Sequence, residues 1–198
     1  MIMTESIGST GLGVRLHGRG GQGAVVASKI LAKAYFKQGL FVQAFPAFGM
    51  ERRGAPVAAY VRVNTAPILA RGEVEHPDVC VVLDPKLLEL IDVAKGLAPL
   101  ATVILNYPDP TAPPKFQGVK TVASVNATEI ALNCGLGSSL APIVNTVILG
   151  AYAKVIRQIP LELDNLLQAI EEVIPSKQEK NVVAARQAFE QATILEER

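Results

Sequence analysis

Short apolar runs of strand length alternate along most of this chain with longer stretches in which apolar residues recur every three or four positions. That alternation is the signature of strands and helices following one another in a layered α/β fold. Val14 to His17 reads as the end of a buried strand, and Ala24 to Gln38 as a helix whose Val26, Ile30 and Ala34 face inward with Ala27 and Leu31. Lys29, Lys33 and Lys37 recur on its other face, which reads as solvated. Gly39 ends that helix, and Leu40 to Phe45 forms a second strand, so a right-handed parallel β-α-β unit is expected. Val57 to Val63, Val79 to Leu83, Ala101 to Leu105 and Val119 to Val122 read as further strands. Thr65 to Pro77 is turn-rich, with Ile68 and Leu69 anchoring a short element.

Helix boundaries are marked by side-chain chemistry. Asp84-Pro85 supplies a cap and a first-turn proline for a helix to about Ala94, and Asn126 with Glu129 resembles a capping box for a helix reaching Cys134. Pro142 opens a long helix carrying Val144, Val147, Ile148, Ala151, Val155 and Ile156, apolar nearly all round and therefore buried, with Asn145 inside it as a core amide. Leu163, Leu166, Leu167 and Ile170 mark an amphipathic helix, and Ser176 with Glu179 caps a last one running through Phe189. The expected architecture is a Rossmann-like layered sheet, mostly parallel, with helices on both faces. Residues 1–198 read as a single domain, with 1–12 as a loose lead-in.

Two loops interrupt this regular pattern. Gly18-Arg19-Gly20-Gly21-Gln22-Gly23 lies between the first strand and the first helix, where glycines permit positive φ and close approach, and where free helix N–H groups attract an anion. Ala44 to Val57 packs Phe45, Phe48, Met50, two prolines and two glycines around Glu51-Arg52-Arg53. Stiff and apolar, with two adjacent arginines that one carboxylate cannot satisfy, it reads as a contact loop.

Composition narrows the function. With 49% hydrophobic residues and a net charge of +1, a sizeable core is affordable and no overall field favours nucleic acid or an anionic membrane. The longest apolar run, around Ala141 to Ala153, is too short for a membrane span, and a signal-peptide pattern is lacking, so a cytoplasmic protein is expected. Cys80 and Cys134 are too few for an iron–sulfur cluster or a zinc knuckle and read as packing residues. His17 reads as a hydrogen-bonded structural residue, and His76 lies in a turn. No hydrolase elbow or metal spacing is found, so no catalytic residue and no metal ligand is assigned.

The glycine loop does fit the dinucleotide pattern, with Gly18, Gly20 and Gly23 at the required offsets. The acid that should close a ribose at the end of the second strand is missing, since Gln43, Ala44, Phe45 and Pro46 stand there. Arg52 and Arg53 facing a 2′-phosphate keep open an independent NADP-binding enzyme, and an assembly module of another redox complex is a further alternative.

The Gly18 to Gly23 loop after a strand, and Phe48-Gly49-Met50-Glu51-Arg52-Arg53-Gly54-Ala55-Pro56-Val57, together resemble the gamma subunit or domain of the 2-oxoacid:ferredoxin oxidoreductases. The stretch with Val144, Asn145, Val147 and Leu149-Gly150-Ala151, then Leu161-Glu162 and Glu179-Lys180-Asn181, is similar to the same family. The resemblance implies a subunit of an enzyme that converts a 2-oxoacid and coenzyme A to acyl-CoA and CO2 with electrons passing to ferredoxin or another acceptor. It implies alpha, beta and delta partner subunits holding thiamine diphosphate, Mg2+ and [4Fe-4S] clusters, and no redox centre here. Under it, Gly18, Arg19, Gly20, Gly21, Gln22, Gly23, Glu51, Arg52, Arg53 and Asn145 are expected at a subunit interface or on the coenzyme A side.

Overall fold

The computed structural model describes residues 11–47 and 54–196. Its centre is β1 (Leu12–Arg19), followed through the glycine loop by α1 (Ala24–Lys37), β2 (Phe41–Pro46) and β3 (Pro56–Asn64). β2 runs parallel to β1 as expected, but the two are not neighbours: β3 lies between them, antiparallel to both, with Tyr60 opposite Arg15 on one side and Phe45 on the other. β3 is the longest strand and turns Val57, Ala59, Val61 and Val63 to one face. Its buried backbone needs partners at both edges, and the shorter β2 takes the outer position.

The chain then crosses back over β1. β4 (Val79–Val82) pairs parallel with β1, followed outward by β5 (Ala101–Asn106) and β6 (Val119–Val125), also parallel. An antiparallel strand that the periodicity did not show, β9 (Thr193–Glu196), closes that edge, giving the order β2-β3-β1-β4-β5-β6-β9. All of β4 is buried, as its continuous apolar run requires. After β4 the expected helix to Ala94 shrinks to α2 (Leu87–Leu90). Asp84 Oδ1 does accept the Lys86 N–H at 2.9 Å, yet the helix stops because Asp92 turns the chain through the Ala94 N–H and Arg15 draws the carbonyls of Val93 and Lys95 to its guanidinium.

Residues 65–77 form no regular element. Leu69 is 88% exposed and anchors nothing; the loop is held instead by Arg62, which donates to the carbonyls of Gly72 and Glu73, and by Gln43 to that of Ile68. On the far side of the sheet, α3 (Ala127–Asn133) starts at the expected capping box, Asn126 accepting from the Glu129 N–H and donating to its carboxylate. Pro142 does not open the next helix. It sits in β8 (Ala141–Pro142), paired with β7 (Gly137–Ser138), and α4 (Asn145–Val155) begins after it.

α5 (Leu163–Val173) and α6 (Gln178–Gln191) complete the layer. Ser176 is not the cap of α6: Lys177, at φ 54°, holds that position, and the start of the helix is secured by Asn181, which donates to the Lys177 carbonyl and accepts from the Thr146 hydroxyl. α1, α4, α5 and α6 bury one face of the sheet with Leu12, Val14 and Leu16, while the other face packs Cys80, Val82, Val103 and Leu105 against α2. Helices therefore lie on both faces, unequally. Within the larger layer Tyr35 and Tyr152 share a buried hydrogen bond of 2.9 Å. Two of the three stripe lysines are not simply solvated: Lys33 and Lys37 meet Glu172 of α5 at 2.6 and 2.5 Å. Among the described residues no helix is long and apolar enough to cross a membrane.

Candidate functional site

Strand order reverses direction between β1 and β4, so the carboxyl ends of these strands open a crevice that neither crossover covers. The glycine loop forms one wall. Gly18, next to the last residue of β1, lies against the Ala24 methyl group, and Gly20 is tied to the start of β3, donating to the Ala55 carbonyl at 2.9 Å and accepting from the Gly54 N–H. Gly21 faces open space, and Gly23 caps α1 at φ 80°. A side chain at Gly23 would strike Asn145, whose Cγ lies 3.1 Å from where its Cβ would be. Asn145 is accordingly not inside α4 but at its first residue, 6% exposed, its Oδ1 accepting the Thr146 N–H, and it wedges the start of α4 against the start of α1.

Arg19 does not project into the crevice as an unpaired charge. Its Nε and Nη2 donate to Asp84 Oδ2 at 2.6 and 2.5 Å, and Gln22 Nε2 donates to the same oxygen. Gln22 Oε1 in turn accepts the Arg19 N–H at 2.7 Å, so one amide closes the loop upon itself. Burial opposes ionisation of Asp84, but the Lys86 N–H, Gln22 and Arg19 outweigh it and hold the carboxyl below its usual range. Asp84 reads from sequence only as a helix cap. Its second role follows from β3 and β2 being on the far side of β1: the parallel neighbour of β1 is β4, and the acid missing from β2 stands at the end of β4. A ribose hydroxyl there would have to compete with an ion pair.

The other wall comes from further along the chain. Asn106, at the end of β5, donates to the Leu83 carbonyl and to Thr128, fixing the β4 and β5 ends to α3. The β7–β8 hairpin carries Leu140, 96% exposed, over the opening. Together these elements enclose about 430 Å³, and among the described residues the cations lining this space are Arg19 and Lys86. Glu51, Arg52 and Arg53 lie outside the described residues.

This geometry has close relatives. Residues 13–191 match the family described as pyruvate ferredoxin/flavodoxin oxidoreductase. The chain belongs to that family. Pyruvate synthase subunit PorC of Methanothermobacter thermautotrophicus is 49% identical over 90% of this chain and 94% of its own. The pyruvate/ketoisovalerate oxidoreductases common subunit gamma of Pyrococcus furiosus is 46% identical over 92% of this chain and 98% of its own. The crystal structure of the PORC subunit of pyruvate oxidoreductase from Thermotoga maritima superposes with a TM-score of 0.75 and 31% identity, covering 95% of this chain and all of that one. The chain is thus a gamma-type subunit of this oxidoreductase family.

Iron–sulfur ligation does not fit the cysteines of this gamma-type chain. Cys80 is buried in β4, its thiol pushed up to about 12 by burial, and Cys134 sits half-buried at the end of α3; two thiols do not make the four-thiolate set that a cluster needs. Among the described residues no three His, Cys, Asp or Glu side chains gather as a metal site.

His17 lies on β1 beside the glycine loop, but its Nε2 is buried with no partner among the described residues, contrary to the hydrogen-bonded role expected of it. Burial, and then the nearby Arg15 guanidinium, lower its pKa from 6.5 to about 4. The unfolded chain therefore binds one more proton than the folded one between these values, so stability falls as pH drops from 6.5 to 4. The full difference is about 3 kcal/mol. In urea titrations His17→Phe is expected to flatten that acid limb; an unchanged limb would place the acid sensitivity elsewhere.

Proposed function

We propose that this chain serves a multi-subunit 2-oxoacid oxidoreductase that converts a 2-oxoacid and coenzyme A to acyl-CoA and CO2, with electrons passing to ferredoxin or another acceptor. Thiamine diphosphate with Mg2+ and the [4Fe-4S] clusters are carried by alpha, beta and delta-type subunits, in the cytoplasm, and the gamma chain contributes the crevice between β1 and β4 on the coenzyme A side. Its residues bind and position; they do not perform the redox step. The observation that carries this reading is the pairing of Arg19 with Asp84, which leaves Lys86 as the other cation lining the crevice among the described residues, next to an α1 N-terminus that has neither a side-chain cap nor an acid in its first turn. A phosphate is the ligand such a wall accepts, through the N–H groups at the loop and the ammonium of Lys86. Glu51, Arg52 and Arg53 act in this reading as interface ion pairs or phosphate contacts, and Asn145 holds the starts of α1 and α4 together beside the glycine loop.

Tagged purification from the native host, with mass spectrometry and assays for iron, sulfide and thiamine diphosphate, tests the assembly. Cluster-bearing and thiamine-binding subunits are expected in fixed ratio with this chain. In the purified complex, Lys86→Glu is expected to raise the KM for coenzyme A roughly tenfold or more, the worth of one charge-assisted contact, while leaving the KM for the 2-oxoacid unaltered. A chain that purifies alone removes the assembly reading. Unchanged coenzyme A kinetics in Lys86→Glu removes the assignment of the crevice.

A further inference from the structure

One carboxylate organises the cationic wall of the crevice. Asp84, its side chain 7% exposed, divides its oxygens between two residues: Oδ1 accepts the Lys86 N–H at 2.9 Å, and Oδ2 accepts from Nε and Nη2 of Arg19. Gln22 completes the clamp. Its Nε2 donates to the same Oδ2 and its Oε1 accepts the Arg19 N–H, so Arg19 is held at its backbone and at its guanidinium. Yet this pairing engages only part of the side chain. A guanidinium carries five N–H groups, and Asp84 takes those of the side edge, Nε and one of Nη2. The end edge, made by Nη1 and the second N–H of Nη2, meets no acceptor among the described residues. It belongs to a side chain that is 34% exposed and lines the enclosed space. Gly21 lines the same space with nothing within 4 Å of where a Cβ would lie, so the loop leaves room there.

We propose that Asp84 is a positioning residue, which fixes Arg19 so that its free end edge takes two oxygens of one phosphate of the ligand in the crevice. The proposal rests on the reading of this crevice as the coenzyme A side. A free arginine loses rotamer freedom when it grips a ligand, whereas one already clamped by an acid and an amide has lost it on folding. The planar fork matches two phosphate oxygens, as an ammonium cannot. Asp84 also tempers the charge. Among the described residues lining the space, Arg19, Lys86 and Asp84 sum to one positive charge, so the direction of the N–H groups contributes more to recognition than the field does.

Kinetics of the purified complex test the proposal. Arg19→Lys keeps a cation opposite Asp84 but has no fork. It is expected to raise the KM for coenzyme A at least about tenfold, leaving the KM for the 2-oxoacid and the subunit composition unaltered. Asp84→Asn, which keeps an acceptor for the Lys86 N–H, is expected to raise the same KM in the wild type and to add nothing in the Arg19→Lys background, because it acts through Arg19. Dephospho-coenzyme A, which lacks the 3′-phosphate, identifies the group that is gripped: an undiminished Arg19→Lys penalty assigns the diphosphate, and loss of the penalty assigns the 3′-phosphate. Wild-type coenzyme A kinetics in Arg19→Lys, with Lys86→Glu raising the KM, overturns the proposal and leaves the crevice reading standing. Wild-type kinetics in both variants removes that reading as well. Effects of Asp84→Asn and Arg19→Lys that multiply overturn the positioning role.

Discussion

Replacing Gly150 by alanine is expected to lower the melting temperature by about 6–12 °C, a loss of about 3 kcal/mol or more for a chain of this length. Helices α4 and α6 meet backbone to backbone at this point. A Cβ built on Gly150 would overlap the Ala185 carbonyl oxygen and sit 2.7 Å from the carbonyl carbon, which is backbone and cannot rotate away. The two helices are pinned on either side of the contact. One turn earlier the buried Thr146 hydroxyl donates to Asn181 at 2.7 Å, and one turn later Lys154 donates to the carbonyls of Glu190 and Ala192. With both flanks tied, relief requires breaking one of those bonds or separating the helices and opening a gap beside Ala184 and Ala188, both fully buried. Thermal melts followed by circular dichroism would check this, with Lys29→Ala on the exposed face of α1 as the control, expected within about 0.5 kcal/mol of wild type. A Gly150→Ala melt that coincides with wild type would show that the helices yield where the geometry says they cannot.

Asp84→Ala is expected to cost about 2–3 kcal/mol and to free the glycine loop. The carboxylate, almost wholly buried, accepts from Arg19, Gln22 and the Lys86 N–H, so its removal strands three donors at once. The loss stays at the low end for a buried pair because the Arg19 side chain is 34% exposed and turns to water. Asp84→Asn, which keeps an acceptor for the Lys86 N–H but removes the ion pair, is expected to fall between the two. The sign with pH is fixed by the lowered carboxyl: its contribution is present above the unfolded pKa and is lost as pH falls through the folded value. Wild type and Asp84→Ala should therefore converge in strongly acidic urea titrations, while amide exchange at Gly20 and Gly21 should be faster in the variant at neutral pH. Equal exchange rates in both proteins would show that the loop is held by its bonds to Gly54 and Ala55 alone.

Legibility differed between parts of the chain, and local cause separates them. The capping box at Asn126 and Glu129 is written in adjacent residues, and it is found as read. The helix expected from Pro85 to Ala94 stops at Leu90, because Asp92 takes the Ala94 N–H that the helix would have used, and Arg15, far away in sequence, holds the Val93 and Lys95 carbonyls of the non-helical turn. Pro142 looked like a helix opener because proline at a first turn is common, yet it pairs with Gly137 in a hairpin. Asn145 was singled out as a polar residue in an apolar run, and its neighbour proved to be Gly23, a contact across 122 residues of chain that no spacing reveals. Arg19 was legible as a charge beside the loop, but its neutralisation by Asp84 depends on β4 and not β2 lying next to β1.

By itself the sequence determined the alternation of strands and helices, the glycine turn between the first of each, the absence of a cluster-forming cysteine set, and, through two motifs, the family. These are properties of period, residue type and short spacing, which act within a few residues. Tertiary structure decided the strand order, with β3 set inside β2, and therefore which acid faces the loop. It also decided which cations line the crevice, which glycine touches which helix, and which strand is left at the edge. Each of those depends on what a folded neighbour contributes to a backbone group or a buried charge, and that neighbour comes from a distant part of the chain.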